Sequence, residues 1–529
     1  MDFITDPAIA VKIQKMAQRV RWQHPLIQQR GIDQTELVLD NGESDSAQFS
    51  FLVIGDSGSG SHRGHSPQRK IAELMLQQSQ DCRFVLHTGD VIYLVGSSDY
   101  YLKNFINPYR EFLVGGEQPK RIRFDQISFK LPFFLVPGNH DYYDLPLFYG
   151  FLAQTAAPLR YLLRSRLDLD VGWRGSQQGK VYAQAFLDYL AGIENPAQLA
   201  QHLDQHYNAT GTTGRCLRYQ PQGFTRLPNR YYQLRYGGID FFALDSNTFN
   251  SPIPLSDDAA GDARRRQLEQ RRIEVQQEQQ QLLQQAMQLD LNDPLQAEQS
   301  DDCRTKIEQL EEIEKDIDKQ LRGDANREMV DVEQLDWLKQ RLIESWHSDA
   351  VRGRVLFFHH PPYVTEATKW HQGQTLAVRY RLRAVLDEVM AAVGERRQNR
   401  PLVDLVLNGH AHCLEYLRTG DTGHGDAQMN WIVCGGSGYS LRRQRPEGTE
   451  LPEVSPDGLP IDLSAAGATV AKSQLFVGRT GQGYHKHRPY SFLRIDVQEG
   501  TPPRFVVRPF VAERYRNQWY EQTLSPIQL

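Results

Sequence analysis

Short apolar runs broken by polar, glycine-bearing turns set the rhythm of this chain. They occur at 49–56 ("FSFLVIGD"), 82–90 ("CRFVLHTGD"), 131–141 ("LPFFLVPGNHD"), 239–246 ("IDFFALDS"), 353–362 ("GRVLFFHHPP") and 402–412 ("LVDLVLNGHAH"). A strand with one wet face alternates apolar and polar residues, whereas a strand buried on both faces reads as a continuous apolar run. These are of the second kind. Stretches with helical spacing separate several of them, such as "SPQRKIAELMLQQSQ" at 66–80 and "EQLDWLKQRLIESW" at 333–346. The alternation predicts an α/β fold whose function sits at the strand ends.

Three further segments frame this pattern. Residues 1–45 read as an N-terminal helical arm, with Ile9, Ile13, Met16 and Val20 at helical spacing and Gly31 near its end. The catalytic frame spans 46–510, and 511–529 is left as a C-terminal tail. Two insertions interrupt the frame. The one at 145–230 carries aromatics, glycines and a helical piece near 180–206, and reads as a pocket-forming cap or a peripheral subdomain. The one at 255–330 is Gln-rich. Leu268, Val275, Leu282 and Leu289 recur every seven residues, and Cys303, Ile307, Leu310, Ile317 and Leu321 mostly follow three-and-four spacing. Pro294 between them would interrupt a helix. Two antiparallel helices in a coiled-coil hairpin are expected. Arg272 and Gln279 thin the first apolar seam. A solvated decoration is the simpler reading of this arm; a protein-docking or self-associating arm is the sharper one.

Length and composition narrow the classes. A chain of 529 residues has room for three or four domain-sized units, or for one large α/β domain with insertions. Its net charge of −5 argues against general nucleic-acid binding. No run of 18 or more apolar residues occurs, so no membrane span is expected. The first residues lack the basic and apolar regions of a signal peptide. The five cysteines are odd in number and form no CxxC, which fits reduced thiols and a cytoplasmic location.

The chemistry lies in five turns after five predicted strands: "GDSG" at 55, "GDVIY" at 89, "GNHD" at 138, "HHPP" at 359 and "GHAH" at 409. Singly, each is only a turn. Together they place Asp56, Asp90, Tyr93, Asn139, His359, His410 and His412 along one sheet edge. Mixed oxygen and imidazole donors suit iron, manganese or zinc better than calcium or magnesium. Seven donors without a cysteine exceed one structural zinc site and suit two metals sharing a carboxylate, about 3.5–4 Å apart.

This ordered set resembles the calcineurin-like metallophosphoesterase superfamily, with a motif frame from about 51 to 440. Within it, the purple acid phosphatases are the more similar type. Most of the superfamily has a histidine two residues after the first aspartate, where this chain has Gly58. Purple acid phosphatases instead pair GDxG with GDxxY, as "GDSG" and "GDVIY" do here. The resemblance implies a four-layer fold, with two β-sheets packed face to face and helices outside. It also implies two metal sites. Asp56, Asp90, Tyr93 and His412 would hold the first, and Asp90, Asn139, His359 and His410 the second, with Asp90 bridging. His359 is preferred to His360 because the family's histidine stands two residues before its proline, here Pro361. Iron with zinc, manganese or a second iron is the expected pairing.

On this resemblance a metal-bound hydroxide attacks the phosphorus of a phosphate monoester, on a small molecule or a protein. His140 would stabilise the transition state and protonate the leaving alkoxide. Asp141 either orients His140 or holds the turn. His360 reads as a substrate-facing residue, as a support behind the ligands, or as a packing histidine. His62 is a phosphate-contact candidate or part of a loop. The basic stretch at 484–488 is a solvated loop or a contact for an anionic substrate. A phosphodiesterase, a protein phosphatase and a catalytically silent scaffold using the 255–330 arm are the alternatives.

Overall fold

The computed structural model describes residues 4–43, 45–59, 65–145, 175–290, 293–322, 329–454 and 469–529. His62 lies outside them, as do 146–174 of the first insertion.

The apolar runs form the centres of two mixed sheets. In the smaller, Phe49–Ile54 runs parallel to Cys82–His87, which runs parallel to Phe133–Leu135. The sheet then continues antiparallel through His487–Gln498, Arg504–Tyr515 and Gln518–Thr523. The larger sheet has eleven strands among the described residues. At its centre Ile239–Ala243, Gly353–Phe358, Leu405–Asn408 and Asn430–Cys434 run parallel. Phe49–Ile54 and Gly353–Phe358 are buried at every position, as their continuous apolar runs require.

The two sheets meet through aromatic side chains. Phe51 and Phe84 pack edge-on to Phe241, with ring centroids 5.6 and 5.3 Å apart. Phe134 does the same to Tyr219 at 5.1 Å. Edge-to-face contact is the favoured aromatic geometry, and complete burial of each such ring contributes about 2–3 kcal/mol. On the far side of the larger sheet, Val332–His347 and Gly373–Val393 bury Leu338, Leu342, Val378 and Leu386 in a second core. Pro67–Gln78 packs on the far side of the smaller sheet, against its antiparallel strands. The result is a four-layer α/β sandwich, as expected. No helix among the described residues is long and apolar enough to cross a membrane.

Both expected terminal segments turn out to be partly sheet. The arm at 1–45 is helical at Ile9–Arg19 and Pro25–Gln28, but Ile32–Leu39 is a strand between Arg215–Tyr219 and Tyr232–Tyr236. The tail at 511–529 supplies the end of Arg504–Tyr515, then Gln518–Thr523 and Ile527–Gln528, all paired antiparallel. The described part of 145–230 does not stand apart as a cap. Phe186, Leu199 and Leu203 enter the main core, and Arg215–Tyr219 joins the larger sheet.

The second insertion is a pair of long helices, Ala259–Met287 and Pro294–Leu321. Pro294 opens the second helix, because the first helical residue needs no N–H donor. Asp293 caps that start, accepting from the Leu295 amide at 3.0 Å. Val275 and Leu310 are fully buried in the seam. The polar residues that thin it find partners across it. Arg272 pairs with Asp318 at 3.3 Å, and Gln279 donates to Glu314 at 3.1 Å, an antiparallel register.

Candidate metal centre

Each expected ligand follows the end of a central strand, and the backbone there is unusual. Asp56, Asp90 and His410 hold φ of +54°, +57° and +66°. Non-glycine residues reach this left-handed region at a cost of about 1–3 kcal/mol each, and do so mostly where structure over-determines them. Here the turns lock one another. The Asp56 amide donates to Gly89 O at 2.9 Å, the His410 amide to Asp56 Oδ2 at 2.8 Å, and the His140 amide to Asp90 Oδ1 at 2.9 Å. Each carboxylate therefore has one oxygen anchored on backbone and the other turned to the centre.

Those inward oxygens, with a phenol, an amide and three imidazoles, define two adjoining groups of donors. In the first, Tyr93 Oη lies 2.8 Å from Asp56 Oδ1, 2.8 Å from Asp90 Oδ2 and 3.1 Å from His412 Nε2. In the second, Asn139 Oδ1 lies 2.9 Å from both His359 Nε2 and His410 Nδ1, and His359 Nε2 is 3.3 Å from Asp90 Oδ2. Asp90 Oδ2 belongs to both. All seven side chains are buried.

Gly58 explains why a tyrosine serves here. A Cβ at position 58 would lie 1.9 Å from Val91 O and 2.6 Å from Ile92 Cα. The chain at 58 instead packs directly on 91–92, and Gly58 O accepts from the Tyr93 amide at 3.0 Å. No side chain fits at position 58, and the same contact delivers the Tyr93 phenol to the centre.

Electrostatics at the centre favour a cation. Burial pushes Asp56 up to about 8; His359 draws it back and Asp90 raises it further. Burial would also raise Asp90, but His359 and His140 hold it well below its usual range. Burial lowers His359, but Asp90 overrides it and lifts the ring to about 9. Burial lowers His410 and His412, leaving neutral imidazoles with lone pairs to offer. Two carboxylates held together out of water are costly, and positive charge between them offsets that cost. The donors present therefore fit bound metal ions.

The other candidates separate. His140 lines the cavity above the donors, its ring held between Tyr93 and Tyr143 at 4.2 and 4.9 Å. Its Nδ1 lies 2.6 Å from Leu94 O, and its Nε2 is 4.0 Å from Asp90 Oδ2. Asp141 does not orient it. That carboxylate accepts from the amides of Val91, Ile92 and Gly138 and so holds the turn. His360 does not face substrate either. It is buried behind the centre, with Nδ1 2.8 Å from Ser246 Oγ and Nε2 3.1 Å from Asn250 Nδ2.

Sequence reasoning missed three neighbours of the donors. Gln374 Nε2 lies 2.8 Å from His410 Nε2. Tyr439 stacks on Tyr93 at 4.1 Å with the planes 15° apart. It directly follows the glycine turn "CGGSG", which is the one signal that pointed to it. Third, the second hairpin helix roofs the centre. A cavity of about 230 Å3 separates the donors from Arg304, Glu308, Glu312, Lys315 and Lys319 of that helix.

An α/β sandwich with buried metal donors at its strand ends is the class that these observations define. Residues 49–209, which hold the first three of the five turns, match the family model described as calcineurin-like phosphoesterase, in line with the superfamily resemblance. No curated protein matches the chain. Among solved structures, it is similar to GAP50, the anchor in the inner membrane complex of Plasmodium, at 12% identity and TM-score 0.36, covering 91% of this chain and 89% of that one. It is similar to a purple acid phosphatase from yellow lupin (Lupinus luteus) seeds at 11% identity and TM-score 0.37, covering 91% of this chain and 54% of that one. It is also similar to PhoD at 12% identity and TM-score 0.37, covering 92% and 70%.

Proposed function

We propose that the centre is a binuclear phosphoesterase site of the purple acid phosphatase type that hydrolyses phosphate monoesters. One observation carries this reading: a single oxygen, Asp90 Oδ2, is shared between two complete sets of buried donors. Asp56, Asp90, Tyr93 and His412 would hold one ion, and Asp90, Asn139, His359 and His410 the other. Iron with zinc, manganese or a second iron suits a phenol-containing set beside an amide-containing set. When bound, the ions supply Lewis acidity, acidifying water and neutralising phosphoryl charge.

The chain's own residues do the rest. With Nδ1 engaged by Leu94 O, His140 presents Nε2 to the cavity. It hydrogen-bonds a phosphoryl oxygen there and delivers a proton to the leaving oxygen. Tyr93 and Tyr143 keep the ring from turning. Burial lowers the His140 pKa, and Asp90 partly opposes that. Asp141 ties the turn that carries Asp90 to the one that carries His140.

Metal-loaded protein assayed on 4-nitrophenyl phosphate and bis(4-nitrophenyl) phosphate tests this. The monoester should turn over at least tenfold faster. His140→Ala should retain both ions and lose about 10²–10⁴ in kcat. Faster diester hydrolysis would overturn the monoester assignment, and turnover of neither ester would leave a silent scaffold.

A further inference from the structure

The hairpin at 255–330 is neither solvated nor left free for a partner along its whole surface. Its second helix turns its apolar seam to the first helix and its opposite, charged face to the metal donors. Positions 304, 308, 312, 315 and 319 follow three-and-four spacing, so their side chains share one stripe.

That stripe is fixed to the body by ion pairs. Glu312 pairs with Arg442 at 3.0 Å and with Lys369 at 2.9 Å. Lys319 pairs with Asp6 at 2.8 Å. Further along the helix, Asp301 pairs with Lys486 at 2.7 Å and Arg488 at 2.9 Å. In the basic stretch at 484–488, Lys486 and Arg488 thus clamp the hairpin, while Tyr484 and His485 are exposed. Arg442 is fully buried, and Lys369 and Lys486 nearly so. Removing one member of such a pair leaves an uncompensated buried charge, so the pairs hold the wall in one position.

The cations of this wall are accounted for, with one exception. Lys319, Lys369 and Arg304 each have a carboxylate oxygen within 3 Å. Lys315 lines the cavity, is half-buried, and has no carboxylate within 4 Å among the described residues; Glu311, one turn earlier on the same face, is its electrostatic neighbour but makes no close ion pair with it. The cavity, about 230 Å3, lies below the range of roughly 300–1,000 Å3 usual for drug-sized ligands.

We propose that the hairpin is the substrate-selecting wall of the site. The site takes small phosphate esters that carry a second anionic group, a carboxylate or another phosphate, and Lys315 binds that group. This rests on the phosphoesterase reading above. The donor side neutralises the transferred phosphoryl group, so the opposite wall meets the remainder of the substrate. The ammonium of Lys315, held in no close ion pair there, selects one further negative charge, and the fixed helix excludes phosphorylated protein segments.

Metal-loaded enzyme should be compared on phenyl phosphate, phosphoglycolate and a phosphoserine peptide. Wild-type kcat/KM for phosphoglycolate should exceed that for the peptide at least a hundredfold. Lys315→Ala should raise KM for phosphoglycolate about tenfold and KM for phenyl phosphate less than twofold, and Lys315→Arg should restore most of the difference. Equal KM shifts for the two small esters would overturn the role of Lys315. Comparable turnover of the peptide would overturn the wall.

Calorimetric binding of phosphonoacetate, which cannot be hydrolysed as an ester, separates this proposal from the phosphoesterase reading. If no ester turns over but Lys315→Ala still weakens phosphonoacetate about tenfold, the recognition site stands and the hydrolase reading fails. If phosphonoacetate binds equally to both proteins, the recognition site fails even where phenyl phosphate is hydrolysed.

Discussion

Gly58→Ala is the smallest change that tests how the centre obtains its tyrosine. The new methyl carbon would stand 1.9 Å from Val91 O, and even an ordinary close contact needs about 3.4 Å. The two backbone segments must then part by about 3.4 − 1.9 = 1.5 Å. Both are buried, so neither yields freely. Parting them stretches the 3.0 Å hydrogen bond from the Tyr93 amide to Gly58 O, and that from Asn104 Nδ2 to the same oxygen, also 3.0 Å. Overpacking costs about 1–3 kcal/mol and each lost hydrogen bond about 0.5–1.5 kcal/mol. The sum, about 2–6 kcal/mol, falls on the loop that positions the phenol 2.8 Å from two carboxylates. At 1.4 kcal/mol per tenfold, its low end is already about thirtyfold in metal affinity. Competition against a chromophoric chelator measures that affinity, with circular dichroism confirming that the variant is folded. The double variant Gly58→Ala/Tyr93→Phe should be little worse than Gly58→Ala alone, because the first change has already displaced the phenol. Metal affinity within threefold of wild type would refute the argument, and so would strictly additive losses in the double variant.

Three further outcomes are expected. With ferric iron bound, Tyr93→Phe should abolish a visible charge-transfer band; a surviving tyrosinate band would assign it to another phenol. Leu310→Ala empties a fully buried position in the hairpin seam and should cost about 2–5 kcal/mol locally. Limited proteolysis should then cut within 259–321 at least tenfold faster, and an unchanged rate would mean that the seam does not hold the hairpin. Glu415 is fully buried, and burial pushes its carboxyl up to about 7 from 4.5. The folded protein holds that proton more tightly than the unfolded chain. The stability it contributes is therefore complete below pH 4.5 and is lost as pH rises through 7, about 3 kcal/mol at 1.36 kcal/mol per unit. Glu415→Gln should remove that loss, gaining on wild type between pH 5 and 8 in denaturant titrations; parallel pH profiles would contradict it.

The grouping of the seven candidate donors was legible because each stands within a few residues of its own strand end. An apolar run fixes where Phe49–Ile54 stops, and the next turn then has only one place to be. His359 and His360 show where that legibility thins. Both follow the same strand, and spacing to Pro361 favours the first. Both stand in the bend just past Phe358, where strand alternation no longer decides; the His360 ring lies 4.4 Å from that of His410, but its nitrogens are engaged by Ser246 and Asn250. The terminal strands were misread for a different reason. Ile32–Leu39 and Gln518–Thr523 are only partly buried, and a strand at or near a sheet margin carries too weak an apolar pattern to stand out from a polar segment.

The roof over the centre was illegible for a reason that is physical rather than statistical. A helix face bearing Arg304, Glu308, Glu312, Lys315 and Lys319 has the composition of a solvated surface, and on an isolated hairpin it would be one. It becomes a buried wall only because compensating charges arrive from elsewhere: Arg442 lies 130 residues beyond Glu312, and Asp6 lies 313 residues before Lys319. Period and propensity report on a segment's own neighbours, and no local pattern encodes a partner at that distance. Such a face can be recognised only by pairing its charges across the whole fold and asking which remains. Here the remaining cation is Lys315, standing opposite the donors. The same pairing that hides the wall from the sequence leaves a single cation available to a ligand.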